Sequence, residues 1–177
     1  KKIWRIVLTE MNFQFYVEKL RDSERFKKFM KENKDAFLCS CFFLIDKEEG
    51  KDKQHLDFYI PSSGKMFSFP LENESDATPI DLGENKGFSP LSEENDFNFK
   101  DVEKMIQEKM EEEKMNNTIQ KMLFSMQNVD GKDVLIGTIF ISSLGLLNVT
   151  IDLTKKEVKD FKKRTFFDMM DIFKKDK

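Results

Sequence analysis

The chain has 177 residues, 36% of them charged and 39% hydrophobic, and a formal net charge of −3. That length suits one domain or two small halves packed together, and the mixture excludes both a disordered tail and a polytopic membrane protein. The net negative charge excludes nucleic-acid binding driven by bulk positive charge. Nineteen Phe and ten Met predict a core filled with large, irregular side chains.

The segment Lys2–Thr9, "KIWRIVLT", reads as an N-terminal strand rich in β-branched and aromatic residues. It begins with positive charge, but Arg5 interrupts an apolar region already too short for a secretory signal. The expectation is a cytoplasmic protein, or an extracytoplasmic one if an upstream signal has been removed. From Asn12 the pattern turns helical: Phe13, Tyr16, Val17 and Leu20, then Phe26, Phe29 and Met30, recur at three- and four-residue spacing. The Asp22-Ser23 pair is placed to kink or divide this helix.

Ala36–Ile45, "AFLCSCFFLI", is a continuous apolar run that suits a central strand. Cys39 and Cys41 lie two apart on it and point to the same face, a poor start for a mutual disulfide and a mild sign of a reducing compartment. After a charged loop around Gly50, "LDFYIPSSGKMFSFPLE" reads as two strands joined at Ser62-Ser63-Gly64, where Gly supplies a positive φ. Residues 72–97 hold eight acidic residues against the single Lys86, with two Pro and two Gly, and read as a linker or long loop.

Asn98 is placed to cap a second helix, Asp101 complements its dipole, and Val102, Met105 and Ile106 begin its apolar stripe. "KMLFSMQNV" reads as a strand and "DGKD" as a tight turn. "LIGTIFISSLGLLNVTIDL", Leu135–Leu153, has the length of a membrane span but carries Ser142, Ser143, Asn148 and two glycines. Its β-branched residues and the alternation at Val149, Ile151 and Leu153 predict paired strands. Thr154 is placed to cap a C-terminal amphipathic helix with Val158, Phe161, Met169, Ile172 and Phe173 on its apolar face.

The order helix, strand, strand, turn, strand occurs twice. "NFQFYVEKL" at Asn12 is echoed by "NFKDVEKM" at Asn98, and the turn glycines Gly64 and Gly145 stand 81 apart (145 − 64). The expected fold is therefore α+β, with two similar halves of a helix and a three-stranded antiparallel meander, an N-terminal strand and a C-terminal amphipathic helix. The divisions fall at 1–71, 72–97 and 98–177.

The strand–Ser63-Gly64-Lys65–strand hairpin after a helix resembles a PepSY-type repeat, whose modules share the cystatin-like curled sheet packed on a helix. The resemblance implies a non-catalytic binding or inhibitory module, often outside the cytoplasm, and supplies no site residues.

Catalysis and metal binding need convergent groups, and few are on offer. His55 is the sole histidine and reads as a solvated loop residue; with Cys39 and Cys41 it supplies three soft ligands where a structural zinc site wants four. There is no Walker loop, no Gly-x-Gly-x-x-Gly and no Gly-x-Ser-x-Gly elbow. The clusters Glu48-Glu49, Glu93-Glu94-Asp96 and Glu111-Glu112-Glu113 read as solvated loops or helix faces. No catalytic, cofactor or metal residue is assigned. The expected function is peptide or protein binding along a sheet edge or between the halves. The alternative is RNA or anionic-membrane binding through the basic face of the last helix, with Lys162, Lys163 and Arg164. From Lys155 to Lys177 nine basic residues oppose five acidic ones.

Overall fold

A computed structural model describes residues 12–84, 87–165 and 168; the expected strand Lys2–Thr9 and the apolar positions Met169, Ile172 and Phe173 lie outside them. Helices α1 (Phe13–Arg21) and α2 (Glu24–Glu32) precede strands β1 (Phe37–Asp46), β2 (Lys53–Ile60), β3 (Lys65–Pro70) and β4 (Thr78–Ile80). Helix α3 (Phe99–Glu112) then leads into β5 (Ile119–Val129), β6 (Lys132–Ile141), β7 (Gly145–Asp152) and β8 (Glu157–Thr165).

The helix boundaries follow from capping. Asn12 Oδ1 accepts the Gln14 N–H at 3.0 Å, and Asn98 Oδ1 accepts that of Asp101 at 2.8 Å. Ser23 begins α2, so the Asp22-Ser23 pair does divide the first helical segment. Each helix buries one stripe, for example Phe13, Tyr16, Val17 and Leu20 in α1 and Phe99, Val102, Ile106 and Met110 in α3.

All eight strands form one antiparallel sheet in the order β4-β3-β2-β1-β5-β6-β7-β8. This corrects the expected pair of three-stranded halves. β1 pairs with β5 over seven positions, from Ser40↔Gln127 to Asp46↔Lys121, and the sheet runs through the middle without a break. Two separate meanders would each leave a long apolar strand as an unpaired edge; pairing β1 with β5 removes both edges at once. The α+β class holds, with both groups of strands part of one continuous sheet.

The helices cover one face of the sheet, and the phenylalanines fill the space between. Phe13 stacks on Phe97 at 5.3 Å, Phe43 meets Phe99 at 4.7 Å, and Phe99 stacks on Phe124 at 5.6 Å. Phe26 and Phe29 pack on Phe69 at 5.4 and 5.1 Å. Burying each such ring contributes roughly 1.5–3 kcal/mol. Gly137 on β6 belongs to the same core: a Cβ there would come within 2.7 Å of the Phe124 ring and of Val149, so only glycine lets that ring lie across the strand. The apolar run Leu135–Leu153 is the β6–β7 hairpin, with Leu135, Ile139, Leu147, Val149 and Ile151 buried beneath the helices. Among the described residues no helix is long and apolar enough to cross a membrane.

Candidate binding edge

Within the C-terminal basic segment, Glu157–Thr165 is a strand where a helix was expected. At the end of β7, Asp152 Oδ1 accepts the N–H groups of Thr154 and Lys155 at 3.0 and 2.9 Å, turning the chain back on itself. The Lys155 hydrogen bond is the main reason that carboxyl titrates below its usual range. β8 then pairs with β7 from Asp152↔Glu157 to Gly145↔Thr165, with a bulge that leaves Lys159 between Ile151↔Val158 and Thr150↔Asp160. The bulge explains the misreading. It places Val158 and Phe161, three residues apart, on the same helix-covered side, and that spacing imitates a helix turn.

Alternation along β8 also divides the expected basic face. Lys162 and Arg164 lie opposite Asn148 and Leu146 on the open side of the sheet, whereas Lys163 lies opposite Leu147 on the helix side. No single face of the strand carries all three, so Lys162, Lys163 and Arg164 do not share the helix face expected for them.

What remains is a charged edge. From Lys155 to Thr165 six basic side chains oppose two acidic ones, in a chain whose net charge is −3. Lys159, Lys162 and Lys163 are exposed. None makes a salt bridge with a described residue, in contrast to Arg21 with Glu93, Lys47 with Glu103 or Lys121 with Asp46. Arg164 is half-buried, and its charge helps to hold the Asp168 carboxyl low, after the hydrogen bonds from Thr165. A concavity flanks β8 on each side. The one on the open face, about 440 Å³, has Val134 and Ile136 beneath Lys132, Lys159 and Asp160. The one on the helix side, about 340 Å³, lies between Phe161, Lys163 and the loop Lys114–Asn117.

The residues weighed for chemistry lie elsewhere. His55 and Asp57 share the open face of β2 beside Ser40 and Phe42 of β1. The imidazole Nδ1 is 2.8 Å from Asp57 Oδ1 and its ring stacks on Phe42 at 5.1 Å. Ser40 Oγ donates to the other Asp57 oxygen at 2.6 Å. The hydroxyl therefore spends its proton on the carboxylate and not on the imidazole, which is no nucleophile–base relay. Sequence reasoning singled out His55 but missed Asp57; a carboxylate two residues along the strand was the available signal.

The two cysteines are free and buried. The β1 bulge between Leu38 and Ser40 separates them, leaving Cys41 in the core while the Cys39 thiol donates to the Asp57 carbonyl at 3.4 Å. Burial, with the nearby Asp57 charge, pushes the Cys39 thiol up to about 12, and burial also raises Cys41. Both stay protonated and are poor nucleophiles or ligands. Among the described residues no three His, Cys, Asp or Glu side chains converge as a metal site would require. The acidic clusters are engaged locally: Glu49 with Lys51, Glu93 with Arg21, Glu112 with Lys109.

No family model and no curated protein matches this chain. Among solved structures the fold is similar to the crystal structure of a "putative lipoprotein" from Clostridium difficile 630, with a TM-score of 0.52 over 78% of this chain and 89% of that one. The two are 11% identical, so the likeness is one of fold alone.

Proposed function

We propose that this protein is a non-catalytic interaction module that captures an extended polypeptide segment as a further strand along β8. The observation that carries this reading is the inequality of the two sheet edges. β4 is three residues long and contains Pro79, which has no N–H to offer a ladder. β8 is nine residues long and free of proline, and no strand pairs with its outer side among the described residues. An added segment gains main-chain hydrogen bonds along that length, and its alternating side chains face those of β8.

Lysines on an edge strand also prevent sheets from joining edge to edge. The two roles are compatible, because charges that repel a second copy of β8 do not repel a segment of other composition.

Hydrogen exchange on the full chain tests the proposal. Extended eight-residue peptides that bind should slow exchange of β8 amides without slowing those of β4. Adjacent strand residues point their N–H groups in opposite directions. Of the variants Lys162→Pro and Lys163→Pro, one therefore removes an outward donor and leaves the β7 ladder whole. That variant should stay folded and lose capture. Outward-pointing β8 amides already protected in the free protein, or bound peptides that leave them unprotected, would overturn the reading.

A further inference from the structure

Resting on strand addition at β8, we infer that the captured segment is acidic and patterned: carboxylates at two alternating positions beside Lys162 and Arg164, and an uncharged side chain next along the same face, beside Asp160. The pattern follows from register. Asp160, Lys162 and Arg164 occupy successive positions on the open face of β8, opposite Thr150, Asn148 and Leu146. A strand added outside β8 places its own alternate side chains directly opposite these three, with Cβ atoms about 4.5–5.5 Å away.

Each position has its own chemistry. Lys162 is exposed and forms no salt bridge with a described residue, so a carboxylate facing it finds an uncommitted ammonium group. Arg164 presents a planar guanidinium that suits a carboxylate in two-point contact. Asp160 repels a carboxylate at the third position. The open-face concavity lies inward of β8, with Val134 and Ile136 of β6 in its lining, and so does not extend to the added strand. The bulge carries Lys159 into the lining of this concavity. On the helix side Phe161 and Lys163 line the second concavity, which places no demand on the carboxylates of the open face.

Attraction is local, since the molecule as a whole is acidic. Screening acts over about 8 Å at physiological ionic strength, so the preference depends on salt.

The test uses the full chain and fluorescent peptides with the core Phe-Thr-Glu-Thr-Glu, its reversed sequence, and Gln and Lys analogues, read by anisotropy and by exchange at β8. One direction of the Glu peptide should bind roughly three- to tenfold more tightly than its Gln analogue, from two cross-strand charge pairs. The Lys analogue should bind more weakly still. The double variant Lys162→Gln, Arg164→Gln should erase the Glu-over-Gln preference while neutral peptides still protect β8. Equal, salt-independent binding of Glu and Gln peptides with β8 protected would sink the acidic pattern and leave strand addition standing. Glu peptides that bind without protecting β8 would sink both. Capture of polyuridine in competition with the peptide, lost in the same double variant, would overturn the inference in favour of a polyanion site.

Discussion

β4 and β8 close the same sheet in opposite ways. β4 is added to the sheet by only three pairs with β3, from Met66↔Ile80 to Ser68↔Thr78, and Pro79 stands in the middle. The chain around it is acidic and tied down from behind: Arg25 donates to the carbonyls of Pro70 and Ser75, and its guanidinium lies over the Phe69 ring. β8 is three times as long, Lys159, Lys162 and Lys163 on it are exposed, and a bulge sets Lys159 outside the β7 register. A sheet edge is closed by shortness and proline on one side and, among the described residues, is left unpaired and lined with charge on the other. Charge screens against like charge but selects for its opposite, so the guarded edge is the one to suspect of recognition.

The comparison is most strongly tested from the middle of the sheet. Phe43 on β1 is fully buried and contacts Phe13, Tyr16 and Phe99. Phe43→Ala should cost about 3–5 kcal/mol in urea unfolding, and exchange protection on β3 and β7 should fall together. Loss confined to one side would mean that the edges belong to separately folding units.

A smaller effect separates the hairpins that lead to each edge. The β2–β3 turn has Gly64 at φ +67°, with open space around it. The β6–β7 turn holds Ser143 and Leu144 at φ +64° and +54°, and Leu144 is 70% exposed. Ser142 anchors this turn: its N–H donates to the Thr118 carbonyl at 2.9 Å, and its own carbonyl accepts from Asn117. A left-handed conformation costs an L-residue about 1–2 kcal/mol. Gly64→Ala should therefore destabilise by about 1 kcal/mol. Leu144→Gly should stabilise by a few tenths to about 1 kcal/mol, once the greater freedom of glycine in the unfolded chain is counted. Thermal melts of the two variants should move in opposite directions.

The smallest effect is on pH. Asp152 holds the turn before β8, and its carboxyl titrates lower in the folded chain than in the unfolded one. A depressed carboxyl contributes stability at pH values above its unfolded value of about 3.9 and loses it as pH falls through the lower folded value. The β7–β8 hairpin should loosen below about pH 4, read as faster exchange at pH 3 than at pH 6 after correction for intrinsic rates. Asp152→Asn should flatten that difference. An unchanged pH response in the variant would assign it to other carboxylates, Asp46 first among them, since it is also held low, chiefly by the Glu49 N–H.

Much of this fold is legible in the residues. Asn12 and Asn98 announce the starts of α1 and α3, the Phe and Met spacing gives the buried stripes, and Ser63-Gly64 marks the β2–β3 hairpin. These are local rules, satisfied within a few residues of chain. β8 failed because one extra residue at Lys159 converts a two-residue period into a three-residue one. The expected basic face followed the same logic: Lys162, Lys163 and Arg164 read as one helix face, and their division between two faces required knowing that they lie on a strand.

The joining of β1 to β5 had no local signal. Ser40 and Gln127 are 87 residues apart, and nothing in either strand names the other. Both are apolar runs that need a neighbour on each side, and a pairing that distant is chosen by the burial it completes. By itself the sequence determined the helices α1 to α3, the long strands before β8, the caps and hairpin turns between them, and that the core is built on phenylalanine. Only tertiary structure decided that the strands share a single sheet, that the basic tail ends it, and that its two edges are unequal, because those outcomes depend on long-range pairing.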